Sequence, residues 1–335
     1  MTLMYSGISQ YGWMESSPTW FWCTVEKLDL MKQQFPKMGI LSIPIGTRNK
    51  TGEGLQLVKD AVAWCKRNNV KAVLSKYSVA AQTEIELEDF WTVFATEFKG
   101  ETAILLFDLF NEPWASKTGW YGRPELISVY EKVIDVIRAI DPSRMIGVQS
   151  YLKHEETMFW VRTNPVKRPN VVYVVHFYSH QWVTGEWWTW VGSHAWSDAY
   201  IKHDYEKAKT QLRAGMYERF GFLSDDLKLP VLITEVAFPD TTEGLIYGDD
   251  VLTILKEWGI NWCYHSWYSG ADRPMTLLDG SGEPRTTVQV VNNNFVDNPI
   301  KPPIIGATPF LLLLFLLFVG FGIALMSGFP STEGK

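Results

Sequence analysis

The stretch Ala103 to Phe110 (AILLFDLF) is followed at once by Asn111-Glu112-Pro113. Such a nearly continuous apolar run predicts a strand that is buried on both faces, as strands of a parallel sheet are. A second run, Val231 to Ile233, is followed in the same way by Thr234-Glu235. Each run therefore places one glutamate where a buried strand ends, which is where parallel barrels carry their reactive side chains.

Six further apolar runs complete a regular alternation with amphipathic segments of helical period. The predicted strands are Leu3–Ser9, Gly39–Ile45, Val70–Ser75, Ala103–Phe110, Met145–Gln149, Val171–Phe177, Val231–Val236 and Ile260–Trp267. The predicted helices are Val25–Phe35, Glu53–Asn68, Leu87–Phe98, Glu125–Ile140, Tyr200–Phe220 and Asp249–Trp258. The alternation predicts an α/β fold, a (β/α)8 TIM barrel. A doubly wound open sheet is the alternative, and it is disfavoured because no Gly-rich phosphate loop follows a strand.

The composition excludes several classes of partner and cofactor. A formal net charge of −6 without a Lys/Arg block argues against nucleic acid. The 3 cysteines lie too far apart for a disulfide framework or a metal site. The spacing of His176 and His180 does not favour a metal either, because on a strand and loop they do not share one face. We therefore expect a protein without cofactor or metal, and we expect it to act as a monomer.

The carboxyl terminus carries an apolar segment. Residues 310–326 contain no charge, and small or apolar neighbours extend the segment to a predicted transmembrane helix at 310–329. The preceding residues 292–309, rich in Asn and Pro, predict a linker after a catalytic domain at 1–291, and residues 330–335 form a short tail. Lys301 and Lys335 flank the helix on opposite sides, so the positive-inside rule does not decide its orientation.

The amino terminus shows neither the basic nor the apolar region of a secretory signal peptide at Met1 to Gly7. We nevertheless expect a membrane-anchored protein whose catalytic domain faces the outside of the cell. Either the true start lies upstream of Met1, which we favour, or the signal has been removed, or the domain faces the cytosol behind a tail anchor.

The residues at the ends of the predicted strands converge on one face of a barrel. This set comprises Asn111, Glu112, His176, Tyr178, Glu235 and Trp267. Cleavage of a glycosidic bond requires a protonated carboxyl group beside the leaving oxygen and an ionised carboxylate on the other side of the sugar ring. Glu112 and Glu235 are the candidates for these two roles. Asp108 lies deeper in its strand and points the other way from its neighbours, which argues against a catalytic role.

The motifs around these residues resemble those of a known family. Leu109 to Pro113, Val175 to Tyr178, Pro230 to Glu235 and the later Trp267 resemble, in this order, glycoside hydrolase family 5, the cellulase-like retaining barrels of clan A. The likeness extends from about Leu3 to Val291.

The resemblance implies a role for each matching residue. Glu112 would be the acid/base, Glu235 the nucleophile and Asn111 a partner of the sugar 2-hydroxyl. Trp267 would be the platform under the sugar, and His176 and Tyr178 would line the same subsite, with Tyr178 orienting the nucleophile.

The resemblance also implies a substrate class, a β-linked polysaccharide or oligosaccharide. The most direct expectation is an endo-acting β-1,4-glucanase that works by double displacement. A β-mannanase or another β-glucanase of the same fold is one alternative, and a catalytically inactive carbohydrate-binding surface protein is another.

Two motifs depart from the family. The family carries an arginine near the end of strand two that pairs with the nucleophile, and this chain has Ser42 there. Strand three ends with a histidine-containing motif in the family, and here it ends at Ser75-Lys76-Tyr77. Arg48 or Lys76 is our hypothesis for the missing positive charge.

A group of tryptophans follows the sixth predicted strand. Because a loop runs over the surface, tryptophans in a loop are poor material for a core. We predict that Trp182, Trp187 and Trp188 stack against sugar rings. A lid packed on the barrel rim and a membrane-facing patch are the alternatives.

Overall fold

The computed structural model describes residues 6–9, 24–77, 82–113, 123–150, 155–178, 199–267 and 275–295. The strands are β1 (Ser6–Ser9), β2 (Ile40–Ile45), β3 (Lys71–Lys76), β4 (Ile104–Asp108), β5 (Ile146–Val148), β6 (Val171–Tyr178), β7 (Val231–Ala237) and β8 (Asn261–His265). The helices are α1 (Val25–Gln34), α2 (Gly52–Arg67), α3 (Glu84–Glu97), α4 (Arg123–Ile140), α5 (Tyr205–Met216), α6 (Phe222–Asp225), α7 (Thr242–Glu257) and α8 (Thr287–Asn294).

The strands form a closed barrel in the order β1 to β8, and neighbouring strands are parallel. Strand β1 pairs with β2 on one side and with β8 on the other, and these two pairings close the sheet. The predicted (β/α)8 barrel is confirmed. Short 3-10 helices also occur, at Thr47–Lys50 after β2 and at Glu155–Arg162 after β5.

Most residues of strands β2 to β8 are buried because helices and the barrel interior cover both faces of the sheet. All six residues of β2 are buried, and so are the first seven residues of β6. The helices instead bury one stripe, as α2 does with Val58, Ala61 and Cys65. This difference in periodicity allowed strands and helices to be distinguished in the sequence.

A buried arginine fixes the turn that leads into β5. The Arg144 guanidinium donates to the Asp141 carboxylate and to the carbonyl oxygens of Phe98, Glu101 and Ile104. A rigid planar donor that satisfies three carbonyl groups holds the loops at the amino-terminal end of the barrel together. This end carries stability, and the opposite end is left for the site.

Several predicted boundaries were wrong. Strand β4 ends at Asp108 rather than Phe110, although Leu109 and Phe110 remain fully buried. Helix α7 begins at Thr242 rather than Asp249, because the Thr241 side chain accepts the Gly244 N–H and caps an earlier turn.

Two further boundaries differ for reasons of packing. The predicted helix 200–220 is interrupted by a π-helical segment, Tyr217–Gly221, where the absence of a side chain at Gly221 leaves room for the Trp258 ring. Helix α8 extends to Asn294, and the Phe295 ring stacks on Trp262. Residues 292–295 therefore belong to the barrel rather than to a linker.

None of the helices in the described ranges is long and apolar enough to cross a membrane. The predicted transmembrane helix, 310–329, lies outside those ranges, as does the remainder of the predicted linker. The membrane role of residues 310–329 therefore stays a prediction.

Candidate active site

The carboxyl ends of β4, β6 and β7 bring the predicted residues together. Glu235 lies within β7 and pairs in register with His176 of β6, just after an irregularity between Val175 and His176. Glu112 follows β4 by four residues, and β5 separates β4 from β6 in the barrel. Both glutamates are partly exposed, with 20% of the Glu112 side chain and 14% of the Glu235 side chain accessible.

One imidazole lies between the two carboxylates. The Nδ1 atom of His176 is 3.0 Å from Glu112 Oε1 and 3.4 Å from Glu235 Oε2. The His176 ring is buried. A protonated Nδ1 therefore donates toward both glutamates and places one positive charge between two negative ones.

This contact changes the acidity of the histidine. Burial of the imidazole opposes protonation, but the charges of Glu235 and Glu112 outweigh burial and raise the pKa of His176 to about 9. At neutral pH His176 is thus an imidazolium. The sequence predicted that His176 lines the site. That its positive charge lies between Glu112 and Glu235 follows only from the distances of Nδ1 to the two carboxylates.

The raised pKa predicts a stability change with pH. Native His176 keeps a proton that the unfolded chain releases above its ordinary pKa of 6.5, so its contribution is complete below that pH. The contribution is lost as the pH rises toward about 9, and it is at most about 3 kcal/mol. The free energy of unfolding, measured in urea, should fall more between about pH 6 and about pH 9.5 for the parent than for His176→Gln. An equal loss in both proteins would contradict the assignment.

Tyr178 and the backbone of Glu112 are also held in place. The Tyr178 hydroxyl donates to Glu235 Oε2, so the two residues lie as close together as the sequence predicted. The backbone N–H of Glu112 donates to Gln149 Oε1 at 2.9 Å, and Glu112 has a left-handed φ of 47°. Asn111 is buried, and its backbone N–H donates to the Lys76 carbonyl at 2.7 Å.

The hypothesis about the missing arginine does not hold. Lys76 is fully buried, its Nζ donates to the Tyr77 carbonyl, and it lies 4.7 Å from the centre of the Phe90 ring. Arg48 is exposed on the 3-10 helix after β2. In the described part of the chain, the ion pair that Glu235 forms is with His176. The positive group beside Glu235 in the described residues is therefore His176 rather than Arg48 or Lys76.

At the end of β8 the structure distinguishes two aromatic residues. Trp267 is only 1% exposed, and its indole N–H donates to Gln34 Oε1 at 2.6 Å. His265 is partly exposed, and its ring centre lies 6.4 Å from that of Tyr178. Sequence reasoning missed His265 because the predicted strand extended two residues too far. The platform role of Trp267 stays a prediction, and Trp182, Trp187 and Trp188 lie outside the described residues.

The same three groups have the spacing of metal ligands. One donor atom each from Glu112, His176 and Glu235 lies within 4.8 Å of the other two, close enough to hold a single ion. Hydrogen bonding from Nδ1 to the same two carboxylates also accounts for this spacing. The chemistry it can perform on its own is proton transfer and nucleophilic attack by carboxylates.

A closed parallel barrel with two glutamates at its carboxyl end is the architecture of a glycoside hydrolase. Residues 13–271 match the family model described as Cellulase (glycosyl hydrolase family 5). The match covers more than half of the chain, and the protein belongs to glycoside hydrolase family 5. A search of curated proteins finds no significant match.

Solved structures with the same barrel include several enzymes of this kind. A hyperthermostable endocellulase has a TM-score of 0.69 at 15% identity, with 88% of this chain and 93% of that chain covered. A β-glucanase from Saccharophagus degradans has a TM-score of 0.66 at 17% identity, with coverage of 88% and 87%. An endoglucanase from Pseudomonas stutzeri has a TM-score of 0.67 at 15% identity, with coverage of 89% and 95%. At these identities the likeness shows the shared fold.

Proposed function

We propose that the protein hydrolyses β-1,4-linked glucan with retention of anomeric configuration, by double displacement. The observation that carries this proposal is the short distance between the catalytic pair. One carboxylate oxygen of Glu112 and one of Glu235 lie within 4.8 Å of each other. Retaining glycosidases separate their carboxyl groups by about 5–5.5 Å, whereas inverting enzymes need about 6.5–9.5 Å to admit a water molecule.

In the first step Glu235 attacks the anomeric carbon, and Glu112, which carries a proton in the complex with substrate, gives this proton to the leaving oxygen. The bond from carbon to the leaving oxygen breaks, a glycosyl ester forms on Glu235, and the shortened chain departs as an alcohol. In the second step Glu112 takes a proton from water, and the hydroxide oxygen displaces Glu235. The two inversions restore the original configuration.

The neighbouring groups fit these roles. The Tyr178 hydroxyl bonds to Glu235 Oε2 and fixes the direction in which the carboxylate faces. The imidazolium of His176, 3.4 Å from Glu235 Oε2, takes over the place of the family arginine that Ser42 replaces. Asn111, buried next to the acid/base, remains our proposed partner for the 2-hydroxyl of the bound sugar.

The substrate proposal is supported by the similar structures. One is a complex of an endocellulase from Pyrococcus horikoshii with cellotetraose, and another is a complex of the Saccharophagus degradans β-glucanase with cellotetraose. We therefore assign β-1,4-glucan as the substrate, cleaved at internal bonds.

The test combines a substrate panel with product stereochemistry. The purified protein is incubated with carboxymethylcellulose, cellohexaose, mannohexaose and mixed-linkage glucan, and the anomer released first is identified by proton NMR. We expect cleavage of cellohexaose to release the β-anomer first. Initial release of the α-anomer would refute double displacement. Preference for mannohexaose would identify a mannanase, and binding without turnover would identify the inactive carbohydrate-binding protein.

We further propose that residues 310–329 anchor the protein in a membrane, with the barrel outside the cell. The support is the sequence alone, since the segment carries no charge. Replacing both Leu316 and Leu317 with arginine adds roughly 5–7 kcal/mol to the cost of insertion. We expect the parent to stay with membranes during an alkaline carbonate wash and the double variant to be released with its hydrolase activity intact. Retention of both proteins would contradict the anchor.

A further inference from the structure

A buried carboxyl group lies beneath the catalytic pair and takes no part in the two displacement steps. Asp108, the last residue of β4, is fully buried and therefore cannot touch a bound sugar. Burial raises the pKa of this carboxyl to about 6, against hydrogen bonds from Ser75 and Gln149 that lower it. A group so costly to bury requires a structural or functional reason.

The hydrogen bonds of Asp108 join three neighbouring strands. Its Oδ2 atom accepts the Ser75 hydroxyl from β3 at 2.7 Å and the Gln149 Nε2 amide, just after β5, at 2.7 Å. The same glutamine is anchored by its main chain, since its carbonyl accepts the Tyr130 hydroxyl at 3.0 Å.

The bond to Asp108 determines which way the Gln149 amide faces. Because its NH2 group donates to a carboxylate, its oxygen must lie on the other side. That oxygen, Oε1, accepts the backbone N–H of Glu112 at 2.9 Å. A reversed amide would set NH2 against N–H and lose both bonds. Asp108 thereby controls an acceptor that reaches the acid/base residue.

Glu112, the last residue in this series of hydrogen bonds, has a backbone conformation that needs support. Glu112 has a φ of 47°, in the left-handed region that residues other than glycine rarely adopt. Backbone strain of this kind persists where the surroundings over-determine it. The hydrogen bond from the Glu112 N–H to Gln149 fixes the orientation of this peptide group. It thereby fixes the direction in which the Glu112 side chain leaves the backbone.

We infer that Asp108 is a positioning residue that acts through Gln149 to hold Glu112 in the geometry for proton transfer. The inference rests on the proposed function of Glu112 as the acid/base. Asp108 itself exchanges no proton with the substrate. The hydrogen-bond chain from Asp108 through Gln149 to Glu112 sets the position of the group that does.

Ser75, which also donates to Asp108, offers a matched control for the Gln149 variant. Asp108→Leu removes the acceptor for Gln149, and Gln149→Met cuts the same chain one bond further on in a side chain of similar length. Ser75→Ala removes a bond of the same length to the same oxygen atom but leaves the connection to Glu112 intact. Asp108→Asn retains an oxygen that can occupy the place of Oδ2.

The readout is kcat/KM on two substrates that differ in their need for an acid. We expect kcat/KM on cellohexaose to fall by about 10- to 100-fold in Asp108→Leu and in Gln149→Met. On dinitrophenyl β-cellobioside, whose leaving group departs without a proton, the loss should be less than about threefold. Ser75→Ala and Asp108→Asn should stay within about threefold of the parent on both substrates. Where Asp108→Leu fails to fold, Gln149→Met decides.

Three results would overturn the inference. In the first, Gln149→Met has the kcat/KM of the parent on cellohexaose; in the second, its kcat/KM falls equally on both substrates. In the third, kcat/KM falls as much in Ser75→Ala as in Gln149→Met. A parent that cleaves neither substrate would instead count against the proposed function. The two failures are therefore distinguishable.

Discussion

Replacing Glu235 with alanine should lower kcat/KM on cellohexaose by roughly 10⁴-fold or more. The variant lacks the oxygen that forms the glycosyl ester, and water has no base on that face of the sugar. Tyr178 and His176, which both contact the Glu235 carboxylate, remain but have no nucleophile to orient. The measurement is release of reducing sugar, with circular dichroism to confirm that the barrel is folded.

Azide makes this prediction specific to a nucleophile. A small anion can occupy the space left by the carboxylate and attack the anomeric carbon from the same side. With dinitrophenyl β-cellobioside, Glu235→Ala should therefore regain activity in azide and form the α-glycosyl azide. Formation of the β-azide would instead assign Glu235 as the acid/base. The absence of any rescue, in a variant that retains cellohexaose binding, would count against the nucleophile role.

Much of the barrel could be predicted because its strands are covered on both faces. A run such as Val231–Ile233 is apolar without interruption, as expected of a strand that is covered on both faces. Strand ends were harder to place. Leu109 and Phe110 are as apolar and as buried as β4 itself, although they lie beyond its last ladder residue. Hydrophobicity reports burial, whereas a strand ends where its backbone pairing ends.

The same ambiguity affected the site. Glu112 and Glu235 could be predicted because carboxylates after apolar runs are conspicuous. The choice of Trp267 over His265 depended on a difference of two residues at the end of β8, which composition does not determine. His265 alone of the two is partly exposed and next to Tyr178. Which residue at a strand end is exposed on the barrel face is thus decided by register, which requires the three-dimensional pairing.

The source of positive charge could not be predicted for a related reason. Sequence reasoning looked for a lysine or arginine because those side chains are charged regardless of surroundings. His176 is charged because two carboxylates, one from the segment after β4 and one from β7, lie within 3.4 Å of its Nδ1 atom. Its charge is a product of the fold, since the irregularity between Val175 and His176 sets its register against Glu235.

Replacing Glu112 with alanine should affect the two substrates unequally. We expect kcat/KM on cellohexaose to fall by about 10²- to 10⁴-fold, because the sugar alkoxide cannot leave without a proton. On dinitrophenyl β-cellobioside the first step needs no acid, and its kcat/KM should change by less than about tenfold. The comparison requires only initial rates of dinitrophenol and reducing-sugar release from the same preparation.

The second step of this variant supplies the matching stereochemical result. Without Glu112 to activate water, the glycosyl ester on Glu235 accumulates, and dinitrophenol release should show a burst. Azide needs no base, so it should attack the ester from the Glu112 side and form the β-glycosyl azide, opposite to the product from Glu235→Ala. Because His176 keeps its contact with Glu235 in this variant, the nucleophile stays paired. Equal losses on both substrates, with no burst, would show that Glu112 supports the structure of the site rather than transferring the proton.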